Sequence, residues 1–202
     1  MSIAIIGSGA IGRALATRFA RRAVAVSITT RGESSSLAEL VRELSPHVTP
    51  TSVREGLLAS IVLLAVPFPA VRDLVSLAAG WSDRIVVDAT NAIDFPKFTP
   101  TDLGGRPSTQ VVGELLQASR VVKAFNTLPA ALLAADPEVS EGRRVLFLSG
   151  DDAPANAEIS ALIEKLGFAP IDLGKLSEGG RLQQFGGALT SKNLVQHPVP
   201  RR

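Results

Sequence analysis

Residues Gly7–Ser8–Gly9–Ala10–Ile11–Gly12 have the spacing G-x-G-x-x-G. Glycine at those three positions permits a tight turn, a close approach of backbone to a pyrophosphate, and tight packing of the next helix on the preceding strand. A helix opening there would turn free N–H groups and the positive end of its dipole towards phosphates. An NAD site places Asp or Glu about 20 residues further on, where it accepts from the ribose 2′-hydroxyl. Here that place holds Thr29, Thr30 and Arg31, followed by Gly32 and Ser34–Ser36. A guanidinium and hydroxyls suit a 2′-phosphate, which a carboxylate would repel, so the pattern points to NADP(H). Glu33 lies beyond the expected strand end, and Ser34–Ser36 could equally cap the next helix.

Three further groups end apolar runs and so belong at the mouth of the same cleft: Val66–Pro67–Phe68, Asp88–Asn91 and Lys123–Thr127. Asn91 and Asn126 are uncharged groups able to bond a nicotinamide ribose or carboxamide, or to serve as turn residues bonding their own backbone. Proton-transfer groups are scarce. There is no tyrosine, so a tyrosine–lysine pair is excluded, and the two histidines, His47 and His197, fall outside the expected cleft. Lys123 is the best remaining proton donor, unless it reaches from its apolar strand to solvent. Such a site suits hydride transfer between two rings, which positioning alone can support. No catalytic side chain is singled out.

The elements that must position these residues alternate in type. Ser2–Ile6, Val24–Thr29, Ile61–Val66, Ile85–Asp88, Arg120–Phe125, Val145–Ser149 and Phe168–Leu173 read as buried strands. Between them, apolar residues recur at helical spacing: Ile11, Leu15, Phe19; Leu37, Leu40, Val41, Leu44; Val71, Leu74, Val75, Ala78. Val111, Val112, Leu115, Leu116 and Ile159, Leu162, Ile163, Leu166 continue the pattern. The class is therefore α/β, a Rossmann-type doubly wound parallel sheet with helices on both faces. Asn91–Pro107 reads as a loop. After Gly174 the pattern gives way to glycine-rich sequence, ending in a tail expected to be disordered, PVPRR.

Composition narrows the function classes. The 202 residues carry 21 Lys and Arg against 19 Asp and Glu, too even a balance for a nucleic-acid partner. Without cysteine there is no disulfide or thiolate chemistry, and neither histidine has a second ligand at metal spacing. No apolar run approaches the roughly 20 residues that span a bilayer, and no leader precedes the first strand, so a cytoplasmic protein with no membrane partner is expected.

The motifs GSGAIG (7–12), TTR (29–31), AVPF (65–68), VVDATN (86–91), VVKAFNTLPA (121–130) and GDD (150–152) resemble the NADPH-dependent reductases of coenzyme F420, a deazaflavin. The same signature occurs in the NADPH-binding domain of six-transmembrane ferric reductases, and VVKAFNT is its most specific part. The resemblance implies that Ser8–Ile11 bind pyrophosphate, Thr30 and Arg31 the 2′-phosphate, and Val66–Phe68 the nicotinamide side. It places the second ring near Ala124–Leu128. Serines stand where relatives add a further basic residue after Arg31, which predicts a looser grip on the 2′-phosphate. The C-terminal segment LSEGGRLQQFGGALTSKNLV departs from the deazaflavin reductases and leaves the hydride acceptor open.

The sequence thus divides into a NADP-binding domain, residues 1–174, and a C-terminal segment, 175–202, that closes the cleft with Phe185, Gly186 and Gly187 at its border. The acceptor expected for NADP(H) is a deazaflavin such as coenzyme F420, or FMN or FAD. A small-molecule redox partner is expected, with homodimerisation as one way to cover the cleft. Two other readings fit the same residues: an NADP(H)-binding sensor or subunit without turnover, and a reductase of small imines or carbonyls with Lys123 as acid.

Overall fold

A computed structural model describes residues 1–32, 34–78 and 80–198, with Ser34 by its backbone alone. Glu33, Ala79 and the tail from 199 onwards lie outside the described residues. Strand β1 (Ile3–Ile6) leads into helix α1 (Ala10–Arg21), and β2 (Val26–Thr29) into a 3-10 turn and α2 (Ala38–Leu44). Then follow β3 (Val48–Pro50), α3 (Val53–Gly56), β4 (Ile61–Leu64), α4 (Val71–Val75) and β5 (Ile85–Asp88). The expected loop at 91–107 contains a small hairpin, β6 (Ile93–Asp94) and β7 (Thr99–Pro100), before α5 (Ser108–Leu115) and β8 (Arg120–Ala124). The rest comprises α6 (Ala130–Ala134), β9 (Glu138–Val139), β10 (Gly142–Gly150), α7 (Ala153–Lys165), β11 (Ala169–Asp172), α8 (Gly179–Gln183) and β12 (Val195–Gln196).

The main sheet runs β11-β10-β8-β5-β4-β1-β2-β3. From β3 to β8 every neighbour is parallel. The central strands β1 and β4 are apolar along their length because both faces are covered. Ile3, Ile5, Ile61, Leu63, Ile85 and Val87 point into one layer with α1, α2, α6 and α7. Their alternates Ala4, Ile6, Val62, Leu64 and Val86 point into the other with α4 and α5. The winding is double, as the sequence implies.

The parallel expectation fails at one boundary. β10 runs antiparallel to β8, and β11 follows β10 in parallel. The connection from β8 explains the reversal. α6 does not cross over to start a parallel neighbour; it packs on α1, where Arg18 and Arg21 donate to the carbonyls of Ala135 and Ala134 at its end. The chain then enters β10 through a two-residue hairpin whose Ser140 and Glu141 both have positive φ, as a turn matching strand twist requires. Burial and the neighbouring Arg22 pull the Arg18 pKa below the usual guanidinium value.

The glycine-rich end of the chain packs on this body. A Cβ on Gly179 would come within 2.6 Å of the Ser149 Cβ, and one on Gly180 within 2.9 Å of the Thr109 Cγ2. β12 pairs with β10, and the Ser191 N–H donates to the Thr127 carbonyl. The glycines therefore mark close approach to the domain.

Candidate functional site

The chain leaves β1 towards β2 on one side, and later places β4 on the other. At such a switch point the helix connections diverge and open a crevice at the carboxyl ends of the strands. A cleft of about 390 Å³ lies there, walled by Ile6–Gly9 after β1, Thr29–Arg31 after β2 and Ala65–Pro67 after β4. Val53, Ala70, Leu74 and Leu77 supply an apolar side wall.

The glycine loop is shaped from within. Gly7 has φ +112°, and a Cβ there would lie 2.4 Å from the Ala65 carbonyl oxygen. A Cβ on Gly12 would lie 1.9 Å from the Gly7 carbonyl oxygen, so only glycine lets α1 start this close to β1. At Gly9 the same position meets nothing within 4 Å, leaving room for a ligand over the backbone. Gly9 caps α1 without a side-chain acceptor, and the first turn holds no acidic residue. Donor N–H groups and the positive helix end thus face the cleft, an arrangement fit for a pyrophosphate.

The three residues after β2 divide their work. The Thr29 hydroxyl, buried, accepts from the Gly7 N–H at 3.1 Å, tying the loop to β2 instead of serving a ligand. Thr30 lines the cleft, and its hydroxyl accepts from the Gly32 N–H at 3.3 Å. Arg31 is exposed at the cleft wall, with no ion pair or hydrogen bond among the described residues. Its guanidinium is available to an anion.

Other residues expected at the site lie behind the wall. Ala10 is exposed at the head of α1, outside the cleft lining, while Ile11 leans on the first core layer. Val66 and Pro67 line the cleft, but Phe68 packs against the second layer. Ala124 is wholly buried, its backbone opposite Leu148, so its methyl belongs to the core.

At the carboxyl ends of β5 and β8 the polar groups engage one another. Lys123, fully buried, does not reach solvent; its Nζ donates to Asp88 Oδ2 at 2.9 Å and to the Thr90 carbonyl at 2.6 Å. Asp88 Oδ1 accepts from the Thr90 N–H and hydroxyl. Asn91 Nδ2 donates to the Asn126 carbonyl at 2.9 Å, and Asn126 Nδ2 to Asn91 Oδ1 at 3.1 Å and the Gln183 carbonyl at 2.7 Å. The buried Gln183 amide accepts from Ser149 and donates to the carbonyls of Lys123 and Phe147. Asn126 Oδ1 is buried with no partner among the described residues. Between them Phe125 sits buried at φ +62°, a strained conformation for a bulky residue and one that clusters at functional sites.

Sequence reasoning missed Gln183 and the turn at Phe125. A glutamine at the end of a five-residue helix and a phenylalanine after a strand carry no periodic signal. It missed Val53 in the cleft wall because β3 and α3 are each too short to read.

This fold and cleft are of the Rossmann dinucleotide-binding type. Residues 2–92 match the family described as NADP oxidoreductase, coenzyme F420-dependent. Over nearly its whole length the chain is similar in structure and sequence to a hypothetical protein, SMa0349, from Sinorhizobium meliloti. That likeness is 49% identity with a TM-score of 0.94, covering 97% of this chain and 96% of that one. The chain therefore belongs to one family with that protein. A structure described as a putative F420-dependent NADP-reductase from Arthrobacter sp. FB24 is 29% identical with a TM-score of 0.73, over 87% of this chain and 86% of that one. The metalloreductase STEAP3 of Rattus norvegicus is 27% identical over 90% of this chain and 35% of its own length. The chain thus spans about a third of the length of the curated relatives it matches. Among the described residues, no helix is long and apolar enough to cross a membrane, and no cluster of His, Cys, Asp or Glu could hold a metal.

Proposed function

We propose that this protein transfers a hydride between NADPH and a flat-ring acceptor of the deazaflavin or flavin class. The observation that carries the reading is the near-complete engagement of the polar groups at the carboxyl ends of β5 and β8, where Asn126 Oδ1 is buried without a partner among the described residues. Lys123 is locked to Asp88 and Thr90, and both asparagine amides bond within the fold. None of these bonded groups is free to protonate a carbonyl or imine as it is reduced. A hydride moved between two rings needs alignment instead, with the accompanying proton exchanged with water.

When bound, NADPH supplies the hydride from its nicotinamide ring. The first-turn N–H groups of α1 hold its pyrophosphate, Thr30 and Arg31 its 2′-phosphate, and Leu74 and Leu77 flank the adenine. Val66 and Pro67 then face the nicotinamide half. Adjacent strands stand about 4.8 Å apart, so the end of β8 lies about 10 Å across the sheet from the end of β4. On this reading the second ring would lie over β5 and β8, beside Asn91 and Asn126. Residues 1–174 carry the cofactor, and the segment from 175 closes the cleft by way of the Gln183 anchor.

The family description and the Arthrobacter neighbour both name F420, which supports a deazaflavin over a metal ion as direct acceptor. Purified protein should oxidise NADPH when supplied with F420 or FMN, followed by loss of absorbance at 340 nm. Absence of turnover with both, across a broad pH range, would overturn the reading. Tight NADPH binding without turnover would favour a sensor.

A further inference from the structure

Beyond the cofactor cleft, the largest unexplained feature is aromatic. Phe95 is 74% exposed and Phe98 60% exposed, in a molecule whose other large apolar side chains are mostly buried. Both lie on the connection between β6 and β7, which follows β5 directly. Their rings meet edge to face at 5.8 Å, and Phe98 meets Phe185 in the same manner at 5.1 Å. Phe185 comes two residues after Gln183, whose carbonyl accepts from Asn126. A Cβ on Gly186 would lie 2.6 Å from Pro100 Cγ, so the C-terminal segment is pressed against the hairpin. The three rings therefore stand together over the carboxyl ends of β5 and β8.

The hairpin tip also carries a charge. Lys97 lies between the two phenylalanines, is exposed, and has no hydrogen-bond or ion-pair partner among the described residues. The nearby carboxylate of Asp94 is occupied by the Thr101 hydroxyl at 2.9 Å. A cluster of three rings, two of them exposed, beside an ammonium open to ligand matches a molecule with a flat apolar face and an anionic tail.

We infer that Phe95, Phe98 and Phe185 form the wall on which the acceptor ring stacks, and that Lys97 holds the phosphate of its side chain. This rests on the flat-ring acceptor proposed above and names the surface that selects it. The ligand class is a tricyclic isoalloxazine-type ring bearing a phosphorylated chain, which FMN and coenzyme F420 share.

The test is equilibrium binding to the full chain saturated with NADP⁺, read by fluorescence anisotropy with FMN, F420 or riboflavin. The Phe95→Ala/Phe98→Ala variant should weaken whichever ring compounds the wild type binds by about 10- to 30-fold, with NADPH affinity unchanged. Both side chains are exposed, so the fold should persist, as circular dichroism would show. Lys97→Ala should weaken FMN and F420 about 3- to 10-fold and leave riboflavin, which lacks the phosphate, unaltered. An equal loss for riboflavin would overturn the phosphate role of Lys97. Unchanged ring binding in the double phenylalanine variant, while the wild type still turns over, would overturn the wall and spare the hydride-transfer reading. A wild type that neither binds nor reduces any of the three compounds would overturn both. If the double variant instead converts a dimer to a monomer in sedimentation without altering ring affinity, the rings form an interface between copies and the wall is wrong.

Discussion

Two regions at the carboxyl edge of the sheet are built on opposite plans. At the β1–β2 end the chain leaves polar groups open: α1 starts without a side-chain cap, Gly9 leaves empty space, and Arg31 has no partner among the described residues. At the β5–β8 end nearly every polar group is spoken for, from Asp88 and Lys123 through Asn91 and Asn126 to Gln183. Unspent groups bind by replacing water with ligand. Spent groups hold a surface still, which is what the proposed meeting of two rings requires. The contrast predicts that substitutions at the first end should cost affinity without stability, and those at the second stability before anything else.

Lys123→Ala should give the largest effect. It leaves the Asp88 carboxylate fully buried with no counter-charge, and breaking such a pair costs about 3–5 kcal/mol. Set against a total stability of about 5–15 kcal/mol, the urea midpoint should fall steeply. Lys123→Met combined with Asp88→Asn should recover more than half of the loss, because the introduced amide oxygen can still accept from Thr90 while no buried charge remains. That double variant also separates the mechanisms. It should retain ring-to-ring hydride transfer, whereas an enzyme using Lys123 as its acid would be inactive. A loss below about 1 kcal/mol for Lys123→Ala would remove the distinction between the two ends.

What could be read from sequence follows the same division. The β1–α1 loop is local: strand, glycines and amphipathic helix lie close together at the start of the chain, so the motif carries its own context. The doubly wound class was legible because buried parallel strands are apolar on both faces, as Ile61–Leu64 and the first three residues of β5, Ile85 to Val87, are. The reversal at β10 was not, since strand direction depends on where α6 docks and its five residues have little periodic signal. At the far end, Lys123 and Asp88 are 35 residues apart and Asn126 and Gln183 are 57 apart, so their pairing exists only in the fold. From sequence Lys123 reads as the best remaining proton donor or as a side chain reaching solvent, because nothing near it in the chain shows the carboxylate that holds it.

Arg31→Ala tests the open end. Loss of a charge-assisted contact to phosphate should cost about 1.5–3 kcal/mol, or roughly 10- to 150-fold in NADPH affinity. NADH, which lacks the 2′-phosphate, should bind as before. The side chain is exposed, and unpaired among the described residues, so thermal stability without ligand should not change. Titration calorimetry with both nucleotides reads the difference. Equal losses for both would mean that Arg31 does not meet the 2′-phosphate.

The smallest effect concerns a charged group beside the open end that is spent within the fold. Beside Thr30 lies a second hollow, bordered by Thr51, Ser52 and Glu55. Glu55 Oε2 accepts from the Ser52 hydroxyl at 2.8 Å, the Thr51 hydroxyl at 3.0 Å and the Ser52 N–H at 3.2 Å, while the Ser52 hydroxyl accepts from the Glu55 N–H. This reciprocal cap starts α3, which supplies Val53 to the cleft wall. The Ser52 hydroxyl, then its N–H and the Thr51 hydroxyl, hold the Glu55 pKa below the ordinary carboxylate value. A pKa lower in the folded than in the unfolded chain makes the ionised form a source of stability above the unfolded value. That contribution fades as pH falls through the folded pKa. Glu55→Gln should therefore melt slightly below the wild type at neutral pH, with the gap closing in acid below the usual carboxylate range. Because Glu55 is fully exposed, the difference should stay small beside that of Lys123. A gap that persists undiminished to low pH would assign the cap's strength to hydrogen-bond geometry, which glutamine only partly reproduces, and not to the carboxylate charge.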